Sequence, residues 1–173
     1  MNRKTFIKNT AMMGAGGMFL SSLKSYALSK SSKNISFNDQ INIGTIGING
    51  MGWGNTLKAI EVPGVNLVAV CDVDQNVIQK KLNDKAVAPI KDKIKVYSDY
   101  RKMLEQKYID VVYIGTPDHW HALMMIEAAA AGKHVYVEKP IGNSIAECEA
   151  MVAAQKKYGS IIQVGQWQRS TNH

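Results

Sequence analysis

The stretch that decides the fold is "IGTIGINGMGWGN", Ile43 to Asn55. A β-branched run leads into four glycines, Gly47, Gly50, Gly52 and Gly54, and a helix candidate, Met51 to Ile60, leads out. A strand that ends in glycines just before a helix leaves a gap. Unpaired N–H groups and the positive end of the helix dipole point into it. Such a gap holds a pyrophosphate if side chains stay out. On this reading Gly47 makes the tight turn and Gly52 lets the helix approach the strand closely. Asn49, however, stands where a G-x-G-x-x-G spelling has its second glycine. Asparagine tolerates left-handed backbone better than most residues. The turn is therefore expected to survive, with a small side chain near the phosphates and Gly50 adding backbone freedom. Alone, the stretch is only a glycine-rich loop, and its neighbours decide its meaning.

Those neighbours alternate. "VNLVAVCD" is apolar almost throughout, which suits a strand buried on both faces of a parallel sheet. Asp74 to Val87 reads as a helix, with Val77, Ile78, Leu82 and Val87 near one face. "IKVYSD" is a weaker strand, after which Asp99 caps "YRKMLEQK". "IDVVYIGTP" is the clearest strand. A helix starting at Asp118 or His119 runs to Gly132, and "KHVYVEKP" is the fifth strand. Asn143 or Ser144 caps a helix ended by Gly159, and "SIIQVG" is the sixth strand. Six strands with helical crossovers predict an α/β, Rossmann-type, doubly wound parallel sheet.

In that setting Asp72 gains weight. It lies at the end of the second strand, about 20 residues past Gly52, where an acid accepts hydrogen bonds from the adenosine ribose hydroxyls. A carboxylate there repels a 2′-phosphate, so NAD is expected rather than NADP. The competing reading makes Asp72 a helix cap, and Asp74 competes for either role.

The totals set limits. The chain has 173 residues, one domain's worth, with 46% hydrophobic and 20% charged residues. Its formal net charge is +7, but Arg3, Lys4, Lys8 and Lys24, with no acid before residue 28, hold +4 of it. The remaining +3 is scattered, which argues against a nucleic-acid partner. Residues 1–27 have the layout of an export signal: a basic start, a mild apolar run from Ala11 to Leu20, then Ser25-Tyr26-Ala27. The run is too short and glycine-rich for a membrane span. "NRKTFIK" resembles a twin-arginine signal with Lys4 in place of the second arginine. A periplasmic location follows if the signal works, and a cytoplasmic one if it does not. Residues 28–40 read as a polar linker. Cys71 and Cys148 form no C-x-x-C pair and read as two buried thiols.

With "GINGMG" at 47–52, four further stretches carry a resemblance: "CDVD" at 71–74, "GTPDHWH" at 115–121, "VEKP" at 137–140 and "QVGQWQRS" at 163–170. Together they resemble the Gfo/Idh/MocA oxidoreductases, from Ile41 to about Ser170, with "TPDHWH" similar to a secreted bacterial branch. The resemblance implies backbone contacts from Met51 and Gly52 to the pyrophosphate. It implies Asp72 on the ribose, and Thr116, Pro117 and the loop to His121 beside the cofactor. Glu138 and Lys139 would lie near the nicotinamide and its ribose, with Gln166 to Arg169 near the nicotinamide or substrate. Lys139 is the implied catalytic residue. It would stabilise or relay charge at a sugar hydroxyl as hydride leaves the carbon. A solvated surface lysine is the bland alternative. The family implies a cis Lys139-Pro140 bond. His119 and His121 suggest metal ligands only in isolation, because no further ligands accompany them. Trp120 and Trp167 read as groove walls or as packed core.

In this family a second, α+β domain follows the sixth strand and carries most of the substrate pocket and the oligomer contacts. Residues 171–173 would begin it. The expectation is thus a nucleotide-binding domain, inactive alone, of an NAD-dependent sugar or polyol dehydrogenase. A related NAD-dependent exo-glycosidase and a non-enzymatic NAD-binding module are the alternatives.

Overall fold

A computed structural model describes residues 39–170. The export segment expected at 1–27, nearly all of the linker at 28–40, and residues 171–173 lie outside them. The strands are β1 (Ile41–Ile46), β2 (Val65–Cys71), β3 (Lys95–Tyr97), β4 (Val111–Ile114), β5 (His134–Glu138) and β6 (Ile162–Gly165). The helices are α1 (Gly50–Ile60), α2 (Gln75–Leu82), α3 (Tyr100–Leu104), α4 (His121–Ala130), α5 (Ile145–Tyr158) and α6 (Trp167–Ser170). All strands pair in parallel, in the order β3-β2-β1-β4-β5-β6. This is the doubly wound α/β sheet expected from the alternation.

Two apolar cores cover the sheet. Ile43, Leu67 and Val70 join Trp53 and Ala59 of α1 and Ile78 of α2 on one face. Ile114, Val135 and Val137 join Met103 of α3, Met125 and Ala128 of α4 and Met151 of α5 on the other. Because β2 feeds both cores, its apolar residues do not alternate with polar ones.

Capping side chains fix the helix starts. Asp74 accepts from the N–H groups of Asn76 and Val77, Asp99 from Arg101, and Ser144 from Glu147. Gly159 ends α5 in the left-handed region, φ 68°. The helix expected from Asp74 to Val87 is shorter, stopping at Leu82. Asp84 ends it by turning back on the chain: one carboxylate oxygen accepts from Ala86 N–H, the other from the Trp53 indole. A 3-10 helix over Ala88–Lys93, with Pro89 in its first turn, then leads into β3. Val87 is nevertheless core. Both cysteines are free, but only Cys71 is buried. Cys148 is half-buried, which corrects the reading of two buried thiols.

Candidate cofactor site

The strand order reverses between β1 and β4, the switch point where open α/β sheets bind ligands. A cleft of about 560 Å³ opens there, lined by Gly47, Asn49, Asp72, Thr116, Pro117 and Trp120 among others. Trp120 is thus a wall of the cleft. Among the sequence candidates, these residues converge on one space.

The cleft depends on three glycines packed backbone to backbone. Gly47 has φ +77°, and a Cβ there would lie 2.8 Å from Thr116 N. A Cβ on Gly52 would run into the Gly47 carbonyl oxygen, and one on Gly115 into Gly52 Cα. Gly115 was not among the sequence candidates, although "GTP" places it at the end of β4. Buried hydroxyls secure the same helix: Thr56 Oγ1 donates to Gly52 O at 2.7 Å and lies 2.9 Å from Thr45 Oγ1 of β1. The backbone therefore reaches the cleft without intervening side chains, and α1 aims its first turn at it. This is the cradle a pyrophosphate requires.

Asn49 differs from expectation. Its backbone is extended, φ −100°, and its side chain caps α1 by accepting from Gly50 N–H. The left-handed residues are Gly47 and Gly50, the latter at φ +51°. The missing glycine is tolerated because this turn never asks residue 49 for a left-handed backbone. Met51 and Gly52 form the first turn of α1, with the Met51 side chain 48% exposed.

Asp72 and Asp74 divide their possible roles. Asp74 caps α2, whereas Asp72 faces the cleft. Ile48 N–H donates to Asp72 Oδ2 at 2.9 Å and Asp74 N–H to Oδ1 at 3.1 Å. Each oxygen keeps a further lone pair for a hydroxyl. Asp99 and Arg101 also line the cleft. The Cys71 thiol lies here too, and burial first, then Asp72 and Asp99, push it up to about 12.

Glu138, Lys139 and Pro140 leave β5 beside the cleft. The Glu138 carboxylate is buried. It accepts from Asn55 Nδ2 at 2.6 Å and from Lys139 N–H at 3.0 Å. Gly165 leaves room for it, since a Cβ there would lie 2.5 Å from Glu138 Oε1. Glu138 thus braces the backbone of Lys139 and ties it to α1. Lys139 itself, with Gln166, lines a separate depression of about 310 Å³ rather than the main cleft. The Lys139-Pro140 peptide is cis, as the resemblance implies.

His121 is displaced from its expected place. The cofactor-side reading put its side chain on the cleft, but the ring is 1% exposed and lies behind it. Both ring nitrogens are engaged, Nδ1 with Pro140 O at 2.7 Å and Nε2 with Thr116 O at 2.8 Å. Among the described residues, no cluster of three or more His, Cys, Asp or Glu could hold a metal. No described helix is long and apolar enough to cross a membrane.

Residues 41–166 match the Gfo/Idh/MocA family, "Oxidoreductase family, NAD-binding Rossmann fold". A glycosyl hydrolase family 109 protein of Shewanella baltica is 36% identical over 118 residues, 66% of this chain and 26% of that protein. Among solved structures, myo-inositol 2-dehydrogenase from Lactobacillus plantarum superposes with a TM-score of 0.67 at 28% identity, covering 77% of this chain and 38% of that one. The WlbA dehydrogenase from Chromobacterium violaceum, in complex with NADH and UDP-GlcNAcA, gives 0.66 at 26% identity, covering 76% and 36%. The chain spans about a quarter of the length of the curated relatives it matches.

Proposed function

Since the chain belongs to the Gfo/Idh/MocA oxidoreductases and is an NAD-binding Rossmann domain, we propose that the protein oxidises a hydroxyl-bearing carbon of a sugar or polyol. One observation carries this reading. Ile114 pairs with Val137, and Glu138 with Gly165. Thr116, Lys139 and Gln166 therefore leave three adjacent strands at one level, at the end of the sheet where the cleft opens.

Each residue has a task. The Gly47–Gly52 turn and the first N–H groups of α1 hold the pyrophosphate. Asp72 accepts from the ribose hydroxyls, and Thr116 and Pro117 wall the cleft. NAD, when bound, accepts the hydride. The Lys139 ammonium stabilises negative charge growing on the substrate oxygen, or takes part in moving its proton. Glu138 holds the lysine's backbone in place, and Gln166 borders the substrate side.

The test uses the full-length protein. NADH should bind, with fluorescence transfer from the protein's tryptophans to the nicotinamide as readout. A panel of sugars and polyols should yield NADH from NAD. Lys139→Met should abolish turnover while leaving NADH affinity within a fewfold. If Lys139→Met turns over normally, the assigned role is wrong.

The likeness to glycosyl hydrolase family 109 favours a second reading, in which the same oxidation is transient and the hydride returns before the product leaves. Chromogenic glycosides then turn over without net NADH, whereas a dehydrogenase accumulates it. The layout of residues 1–27 supports export to the periplasm. Fractionation of cells expressing the whole protein tests that: an entirely cytoplasmic, uncleaved product overturns it.

A further inference from the structure

His121 has no task in the chemistry above, yet it is among the most buried side chains in the fold. Its position explains this. It opens α4 and stands between two loops, the one after β4 that carries Thr116 and the one after β5 that carries Lys139 and Pro140. The ring reaches a backbone carbonyl on each, at 2.8 and 2.7 Å. Carbonyl oxygens only accept, so each contact is a hydrogen bond only if that ring nitrogen carries a proton. A neutral imidazole carries one. In that form the second nitrogen sets its lone pair against a carbonyl oxygen at under 3 Å, and that contact repels.

Building on the NAD-dependent reading, we propose that His121 is a positioning residue that latches the cleft wall at Thr116 to the Lys139-Pro140 turn, and that it closes only as the doubly protonated ring. The latch couples the surface that holds the cofactor to the lysine that meets the substrate. Other bonds hold neighbouring points. Asn55 and Glu138 tie Lys139 to α1, and Thr116 Oγ1 contacts Met124 Sδ at 3.6 Å. Loss of one ring proton frees one of the two loops.

The surrounding segments carry Asp118 and His119 in the preceding turn, Glu127 on α4, Glu138 and Lys139 before Pro140, and Glu147, Cys148, Glu149, Lys156 and Lys157 on α5, which packs on α4. The Glu138 carboxylate is engaged by Asn55 and Lys139 N–H, and that of Glu147 by Asn143 N–H at 2.6 Å. Burial of the ring, 1% exposed, and the positive end of α4 both oppose a second ring proton. The two carbonyls favour it.

The test pairs a spectroscopic and a functional readout on the intact protein. Nitrogen-15 NMR of the imidazoles across about pH 5.5 to 8.5, a range that brackets ordinary histidine titration, reports protons on both His121 nitrogens. NADH affinity is measured over the same range for wild type, His121→Gln and His121→Asn. Both donor hydrogens of a carboxamide sit on one nitrogen, so it replaces the ring at only one of the two separated carbonyls. Both variants should bind NADH about tenfold more weakly at the acidic end, the size of one lost hydrogen bond to a charged group. They should also lose the pH dependence. Wild-type affinity should fall as His121 loses its second proton. The proposal is overturned if His121 stays singly protonated throughout the range. It is also overturned if wild-type affinity ignores the second proton, or if folded His121→Gln matches wild type. If wild type binds no NADH at any pH, the functional reading fails instead, and the NMR titration alone still decides the latch.

Discussion

Asn49 looked like a flaw in the glycine turn and is a helix cap. Its side-chain oxygen accepts from Gly50 N–H, while Gly47 and Gly50 carry the positive φ angles. Asn49→Gly is therefore expected to be mild. Exchanging a capping asparagine for glycine costs a few tenths of a kcal/mol. NADH affinity should stay within about threefold, on the same scale. A complete loss of binding, measured by calorimetry, would mean that the side chain itself holds the cofactor. The glycines of α1 separate more sharply. A Cβ on Gly52 meets the Gly47 carbonyl, whereas one on Gly54 meets nothing within 4 Å. Gly52→Ala should cost about 1–3 kcal/mol, as overpacking does, and abolish NADH binding. Gly54→Ala should stabilise the protein by about 0.5–1 kcal/mol, because alanine loses less entropy in a helix. Urea denaturation of the two variants checks both signs. The sequence motif marks Gly52 as special, but it cannot tell Gly52 from Gly54 by type. Only the distance to Gly47 and Gly115 does that.

At the level of elements, Asn55 has no motif to announce it. It sits on the second turn of α1 and donates to Glu138 at the end of β5, 83 residues away in sequence. Glu138 in turn accepts from Lys139 N–H. This chain joins the cofactor-facing helix to the strand that presents the lysine. Asn55→Ala removes a donor from a buried carboxylate and should cost about 1.5–3 kcal/mol. Asn55→Asp should be worse, because it sets a second carboxylate against the first. Both should lower turnover at Lys139 more than they lower NADH affinity, a split that steady-state kinetics and equilibrium binding resolve. Local chemistry did announce the caps at Asp74, Asp99 and Ser144, since a capping side chain bonds N–H groups within three residues of itself. It did not announce the early end of α2. Asp84 turns the chain there partly through the Trp53 indole, which belongs to another helix.

For the whole molecule, weak acids with raised pKa values govern behaviour at high pH. The Cys71 thiol moves from its ordinary 9.0 to about 12, chiefly through burial. Tyr108 moves to about 12, through burial first and its bond to Tyr97 second. Tyr100 is raised as well, by burial and then by its hydrogen bond to Glu127. A group whose folded pKa is raised adds stability that is whole below its unfolded value and is lost as pH climbs through the folded one. Lys133 runs the opposite way. Burial lowers it as its ammonium donates to Gln106 O at 2.6 Å and Ile109 O at 2.9 Å, so its contribution grows toward alkaline pH. Tyr113 and Tyr136 are raised too, chiefly by burial, so the raised groups outnumber Lys133 five to one. The melting temperature should hold to about pH 9 and then decline toward about pH 12, the window set by Cys71. Cys71→Ala should make that decline shallower. An equal slope in both proteins would show that the thiol is not among the causes. What the sequence by itself determined was the order of elements and the glycine turn with its acid. Strand and helix periodicity, caps and turns are properties of neighbouring residues. Tertiary structure alone decided that Gly115 closes the cradle, that Asn55 and Gly165 fit themselves to Glu138, and that His121 stands behind the cleft. Each of these is a contact between segments far apart in the chain, made adjacent only when β1, β4, β5 and β6 pair.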